Sequence, residues 1–109
     1  MVRSPARSRS AGVGMYARVT TFKVNPERIA ELMSKVGEMR SRFTEVPGLT
    51  QAYAAWRPDG QGILVALYKD RASADRAVAR LQALWGNLAG LVIGVPHVET
   101  YDTAEPLRA

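Results

Sequence analysis

The sequence predicts an α+β fold: strand, helix, strand, strand, helix, strand, with the four strands in one antiparallel sheet. Three observations predict it. Two segments, residues 29–46 and 74–88, carry apolar residues at helical spacing. Each is preceded by a segment rich in β-branched, aromatic or aliphatic residues. Between the helices, two strand-like segments flank Pro58-Asp59-Gly60, which is strong turn chemistry. This βαββαβ order is the split βαβ, ferredoxin-like arrangement.

Met15 to Val24 (MYARVTTFKV) is the first strand. Its alternation puts Tyr16, Arg18, Thr20, Phe22 and Val24 on one face and Met15, Ala17, Val19, Thr21 and Lys23 on the other. Asn25 then Pro26 starts a helix, with a capping side chain followed by proline at the first helical position. Glu27 suits the positive end of the helix dipole. Ile29, Leu32, Met33, Val36, Met39, Phe43 and Val46 form one stripe, and Pro47-Gly48 ends it. Gly37 lies within this helix and suggests a close approach by the sheet.

Leu49 to Trp56 is the second strand and Ile63 to Tyr68 the third. A hairpin on the Pro58-Asp59-Gly60 turn sets Arg57 opposite Gly62, Trp56 opposite Ile63, and Tyr53 opposite Ala66. Trp56, Ile63, Val65 and Leu67 then share one face, and Tyr53, Leu64, Ala66 and Tyr68 the other. Asp70 caps a second helix with the stripe Ala74, Val78, Leu81, Trp85 and Leu88, which Gly86-Asn87 stops. The apolar, glycine-rich LAGLVIGVP suits a packed loop, and His97 to Thr103 makes a short last strand.

The third strand is apolar on both faces, as in strands buried on both sides. Two helices cover one face of a sheet, and the rest of the chain is too short to cover the other. A second copy of the same sheet is the economical cover. The expected partner is therefore the chain itself, as a homodimer packed through Trp56, Ile63, Val65 and Leu67.

Composition bounds the function. The chain has 109 residues, 47% hydrophobic and 23% charged, as expected for one small globular domain. The formal charge is +5, but Arg3, Arg7 and Arg9 supply +3 of it from residues 1–14, which contain no acid. That Arg/Ser/Gly/Pro-rich stretch is expected to be a disordered basic tail, with residues 15–109 as the domain. It reads as an upstream extension before an effective start at Met15, as a plain flexible tail, or as an arm for an acidic partner. The body is near neutral, so nucleic acid is not an expected partner. The third strand GQGILVALY also lacks the exposed aromatics of RNA-recognition sheets. No apolar run reaches membrane-spanning length, so no membrane association is expected. The chain has no cysteine, which excludes thiolate metal sites and fits a cytoplasmic protein. With a single histidine and no clustered carboxylates, neither a metal nor a cofactor is expected. Neither G-x-x-x-x-G-K-S/T nor G-x-G-x-x-G occurs, so no nucleotide-binding fingerprint is present.

Four stretches carry a resemblance to a known family: MYARVTTFKV, EVPGLTQAY, ILVALYKDRASAD and LAGLVIGVPHVETYD. In element order, in the Val-Pro-Gly helix exit and in the strand-Tyr-x-Asp junction, the chain resembles the antibiotic biosynthesis monooxygenase-like (ABM) group of the dimeric α/β-barrel superfamily. The resemblance spans residues 15–103. It implies a homodimer with facing sheets and a pocket between each sheet and its helices. It also implies binding of an aromatic or apolar organic molecule, with cofactor-free oxygenation as the activity. The polyketide branch uses an Asn and a Trp on the third strand, where this chain has Leu64 and Tyr68. The haem-degrading branch uses an Asn, a Trp and a His at positions that fall nearest Arg18, Tyr68 and Val78. Neither set is retained, and without the helix histidine haem degradation is not expected. A non-catalytic ligand-binding or structural dimer is the alternative.

The chemistry-bearing residues follow. Tyr68, at the end of the third strand, is a candidate hydrogen-bond donor or weak acid. Arg18 shares its face and could hold a phenolate or carboxylate. His97 is the only side chain with an ordinary pKa near neutrality and so the candidate general base. These three form the candidate catalytic set. Tyr53, Trp85, Phe43 and Met33 are the candidate substrate-binding residues, as aromatic and thioether walls.

Overall fold

The computed structural model describes residues 15–107. The basic tail expected over residues 1–14 lies outside the described residues. Strand β1 (Met15–Lys23) leads through a 3₁₀ turn (Pro26–Arg28) into helix α1 (Ile29–Thr44). The hairpin β2 (Leu49–Trp56) and β3 (Gln61–Tyr68) follows, then α2 (Arg71–Gly86) and β4 (His97–Ala104). The strands form one antiparallel sheet in the order β2-β3-β1-β4. The fold is the expected ferredoxin-like α+β arrangement.

Local chemistry sets the helix ends. The Asn25 side chain accepts from the Glu27 amide at 2.9 Å, so the capping expected there opens the 3₁₀ turn that precedes α1. The Arg28 guanidinium ties that turn to both Glu31 oxygens at 2.8 Å and donates to the Gly90 carbonyl. Asp70 caps α2 by accepting from the Ser73 amide at 2.8 Å.

The bonds that Ser73 donates hold the Asp70 carboxyl below the usual carboxylate range. A depressed native pKa stabilises the fold above the unfolded-state value of about 4. That stabilisation is lost as pH falls through the folded value. Asp70→Asn keeps an acceptor and removes the titration. Its melting temperature should therefore drop less than the parent's between pH 5 and pH 3, as followed by circular dichroism.

Both helices lie on one face of the sheet. Leu32 is 1% exposed and joins Phe22, Val24, Leu88 and Leu91 in one half of the core. Tyr68, Ala66, Ala74, Ala77 and Leu81 form the other half. Two expectations change here. The buried stripe of α2 is turned toward Ala77 and Leu84, which leaves Val78 exposed and Trp85 half-buried at its flank. Small residues at Ser73, Ala74 and Ala77 let this side of the helix lie close to the sheet. Gly37 faces open space, so it marks no close approach.

The hairpin register also differs, by one residue. Trp56 stands opposite Gly62, Ala54 opposite Leu64 and Tyr53 opposite Val65. The cause is a three-residue loop. The Arg57 amide donates to the Gln61 carbonyl at 2.9 Å, and the Gly60 amide to the Arg57 carbonyl at 2.9 Å. Gly60 is left-handed, at φ 94°. Because strand side chains alternate, a one-residue shift exchanges the faces of β2. Trp56 therefore turns to the helices rather than to the outer face, and Tyr53 turns outward rather than joining Tyr68. Gly62 leaves room for this: a Cβ there would run into the Phe22 ring on the neighbouring strand.

The outer face carries Ala17, Val19, Ile63, Val65 and Leu67, flanked by Tyr53 and Tyr101. Ile63 is 36% exposed and Tyr53 63%, and neither helix covers this face.

Candidate functional site

The helix side of β2 is built from small residues. Ala52 and Ala54 stand opposite Ala66 and Leu64, and they do not reach α1. A cleft of about 690 Å³ opens there between α1, α2 and the hairpin. That volume falls within the range typical of small-molecule sites, roughly 300–1,000 Å³. Phe43 and Met39 of α1, Trp85 and Leu81 of α2, and Trp56 and Leu64 of the sheet line it. Trp85 meets Phe22 edge to face, with ring centroids 5.4 Å apart, which fixes one aromatic wall.

A smaller cavity of about 260 Å³ lies on the β4 side of the same wall. Leu64, Leu81 and Trp85 border both cavities. Arg18, Thr20, Ala66, Val78, Gln82 and Val98 complete the smaller one.

Arg18 and Tyr68 come together as strand parity requires. The Arg18 guanidinium carbon lies 5.8 Å from the centroid of the Tyr68 ring. Tyr68 is fully buried and lines neither cavity, and neither its hydroxyl nor the Arg18 Nη1 atom has a hydrogen-bond partner among the described residues. Burial pushes the Tyr68 phenol above its usual pKa, against the opposing pull of the Arg18 charge. At neutral pH Tyr68 therefore keeps its proton.

The remaining candidates divide. Trp85 and Phe43 line the larger cleft. Tyr53 borders it only from the edge strand, with its side chain on the outer face. Met33 is 59% exposed and is not among the cleft residues, because its neighbour Leu32 takes the inward position on α1. His97 stands opposite Thr21 on the outer face, 3.7 Å from Glu99, and does not join Arg18 and Tyr68. Among the described residues no cluster of His, Cys, Asp and Glu could hold a metal ion, and no helix is long and apolar enough to cross a membrane.

The sequence reading missed Trp56, Ala52 and Ala54 as cleft residues. Their signal was present: Gly60 as the third loop residue sets the register that aims all three at the helices.

Neither a protein-family profile nor a curated protein sequence matches this chain. Solved structures do. A conserved protein from Methanosarcina mazei aligns with TM-score 0.73 at 13% identity, over 85% of this chain and 96% of that one. A candidate antibiotic biosynthesis monooxygenase from Caulobacter crescentus aligns with TM-score 0.72 at 20% identity, over 85% and 92%. SnoaB, a cofactor-independent oxygenase from Streptomyces nogalater, aligns with TM-score 0.68 at 19% identity, over 88% and 99%. The fold is thus ABM-like along almost the whole length of these proteins.

Proposed function

We propose that the protein is a homodimer, packed sheet against sheet, that binds an aromatic or otherwise apolar organic molecule between its sheet and helices. The apolar cleft of about 690 Å³ walled by Trp56, Trp85 and Phe43 carries this reading. Apolar walls with few polar groups suit a ring system rather than a sugar or a nucleotide. The uncovered apolar outer face supports the dimer. The absence of cysteine accords with a cytoplasmic setting.

Anthrone, a neutral tricyclic ketone, is a suitable probe. Ala54 is exposed on the helix side of β2, so a larger side chain there enters the cleft without crowding the core. Ala54→Phe should weaken anthrone binding by about tenfold or more in titration calorimetry, as expected when an aromatic contact surface is filled. The circular dichroism spectrum should be unchanged. Equal affinity in the two proteins would remove the cleft from the function.

The meeting of Arg18 and Tyr68 favours a second reading, cofactor-free oxygenation. An acidic methylene loses a proton to water, and the Arg18 charge stabilises the enolate that remains. The enolate is oxidised by O2. In net terms the two C–H bonds break, a C=O bond forms, and the second oxygen atom leaves as water. The carbon supplies the four electrons, and the Arg18 guanidinium, seated by the Tyr68 ring at the edge of the smaller cavity, donates a hydrogen bond to the reduced oxygen. Oxygen uptake with anthrone should slow by roughly tenfold or more in Arg18→Met, typical of losing one positioned donor. Uptake equal to the parent's would reject this chemistry and leave the binding reading in place.

A further inference from the structure

The smaller cavity joins features that the larger one lacks. Arg18 projects from the middle strand β1, between Ala66 of β3 and Thr100 of β4. Its Nη1 atom is buried without a hydrogen-bond partner among the described residues. None of the ion pairs among the described residues includes Arg18. The neighbouring Tyr68 ring, its centroid 5.8 Å from the guanidinium carbon, gives partial compensation without a formal negative charge. Arg18 is half-buried, and a guanidinium N–H withdrawn from water normally meets an acceptor, because leaving it unpaired is costly. Here the guanidinium instead borders a cavity whose other walls include Leu64, Leu81, Trp85 and Val98.

We propose that this cavity is an anion-binding subsite, in which Arg18 pairs with the carboxylate of an organic acid whose apolar body lies against Leu64, Leu81 and Trp85. The inference rests on the reading of this fold's interior as a small-molecule site, and it narrows the ligand class from apolar molecules to apolar monoanions. A planar carboxylate matches the fork of a guanidinium and accepts two of its N–H bonds. Gln82 and Thr20, the other polar residues of the cavity, carry no formal charge and so do not compete for the cation.

The test compares 2-naphthoate with the uncharged, nearly isosteric 2-naphthamide by calorimetric titration. The parent should prefer the acid by about tenfold or more, the discrimination expected for a charge-assisted pair. Arg18→Met should abolish the preference while keeping the amide's affinity, and Arg18→Lys should restore part of it. A second variant leaves Arg18 itself in place. Val98 lines the cavity and is 50% exposed, so Val98→Glu is tolerated at the rim and supplies an internal carboxylate. It should weaken 2-naphthoate binding by more than it weakens 2-naphthamide binding, so that the preference for the acid falls. Equal affinity for the two probes in the parent, with both variants indifferent, would overturn the subsite alone. Binding of neither probe would overturn it together with the reading on which it rests.

Discussion

Val65→Asp yields a folded monomer. Val65 lies at the centre of the outer face, with Val19 of β1 on one side and Tyr53 of β2 on the other. Its side chain points away from the core, so a carboxylate there remains in water in a single copy of the chain. Sheet-on-sheet association would bury that carboxylate in each copy, without a partner. The cost is about 3 kcal/mol or more per unpaired buried charge, enough to raise the dimer dissociation constant by several powers of ten. Light scattering at micromolar concentration should show the mass fall from two chains to one, with the circular dichroism spectrum retained. Ala55→Asp, at the margin of the same face opposite Ile63, should weaken the dimer less. A parent that is monomeric at this concentration, or a Val65→Asp variant that stays dimeric, rules out association through this face.

Gly60→Ala produces a large loss of stability from a single added methyl. Gly60 sits at φ 94°, a backbone conformation that costs a residue with a side chain roughly 1–3 kcal/mol. An added Cβ would also run into the carbonyl oxygen of Val24. That contact cannot relax cheaply. The Val24 amide donates to the Gly60 carbonyl at 2.9 Å, and Val24 is completely buried. The two effects together should remove about 2–4 kcal/mol, a fall of some 10–25 °C in melting temperature for a domain of this size. Gly37→Ala is the matching control. It adds the same methyl in the interior of α1, where the Cβ meets nothing. It should raise stability by up to about 1 kcal/mol. If both variants melt with the parent, the turn does not anchor the hairpin.

Helix and strand identities were legible because each rests on local signals. Asn25-Pro26 and Asp70 announce the helix starts, Pro47-Gly48 the end of the first helical segment, and period-two alternation the strands. Strand parity alone brought Arg18 and Tyr68 to one face. The hairpin was the exception. Pro-Asp-Gly marks a turn without stating how many residues lie outside the ladder, and a difference of one exchanges Trp56 with Tyr53. Long-range packing decided the rest. The inward side of α2 depends on which residues are small enough to approach the sheet, so Ala77 displaced the larger Val78. His97 belongs to an edge strand whose phase is fixed only by pairing with Thr21. The meeting of Arg18 with Tyr68 and the helix walls Phe43 and Trp85 of the cleft were therefore readable, while the β2 side of the cleft was not.

The same register has an optical consequence. The chain holds two tryptophans, and both border the one cleft, Trp56 from the sheet and Trp85 from α2. The intrinsic indole emission of this protein therefore comes from a single place, with no distant fluorophore to dilute it. A molecule entering between the helices and the hairpin displaces water from beside both rings, which shifts their emission toward the blue or quenches it. The protein carries its own reporter of occupancy, and compound collections can be screened against it without a label.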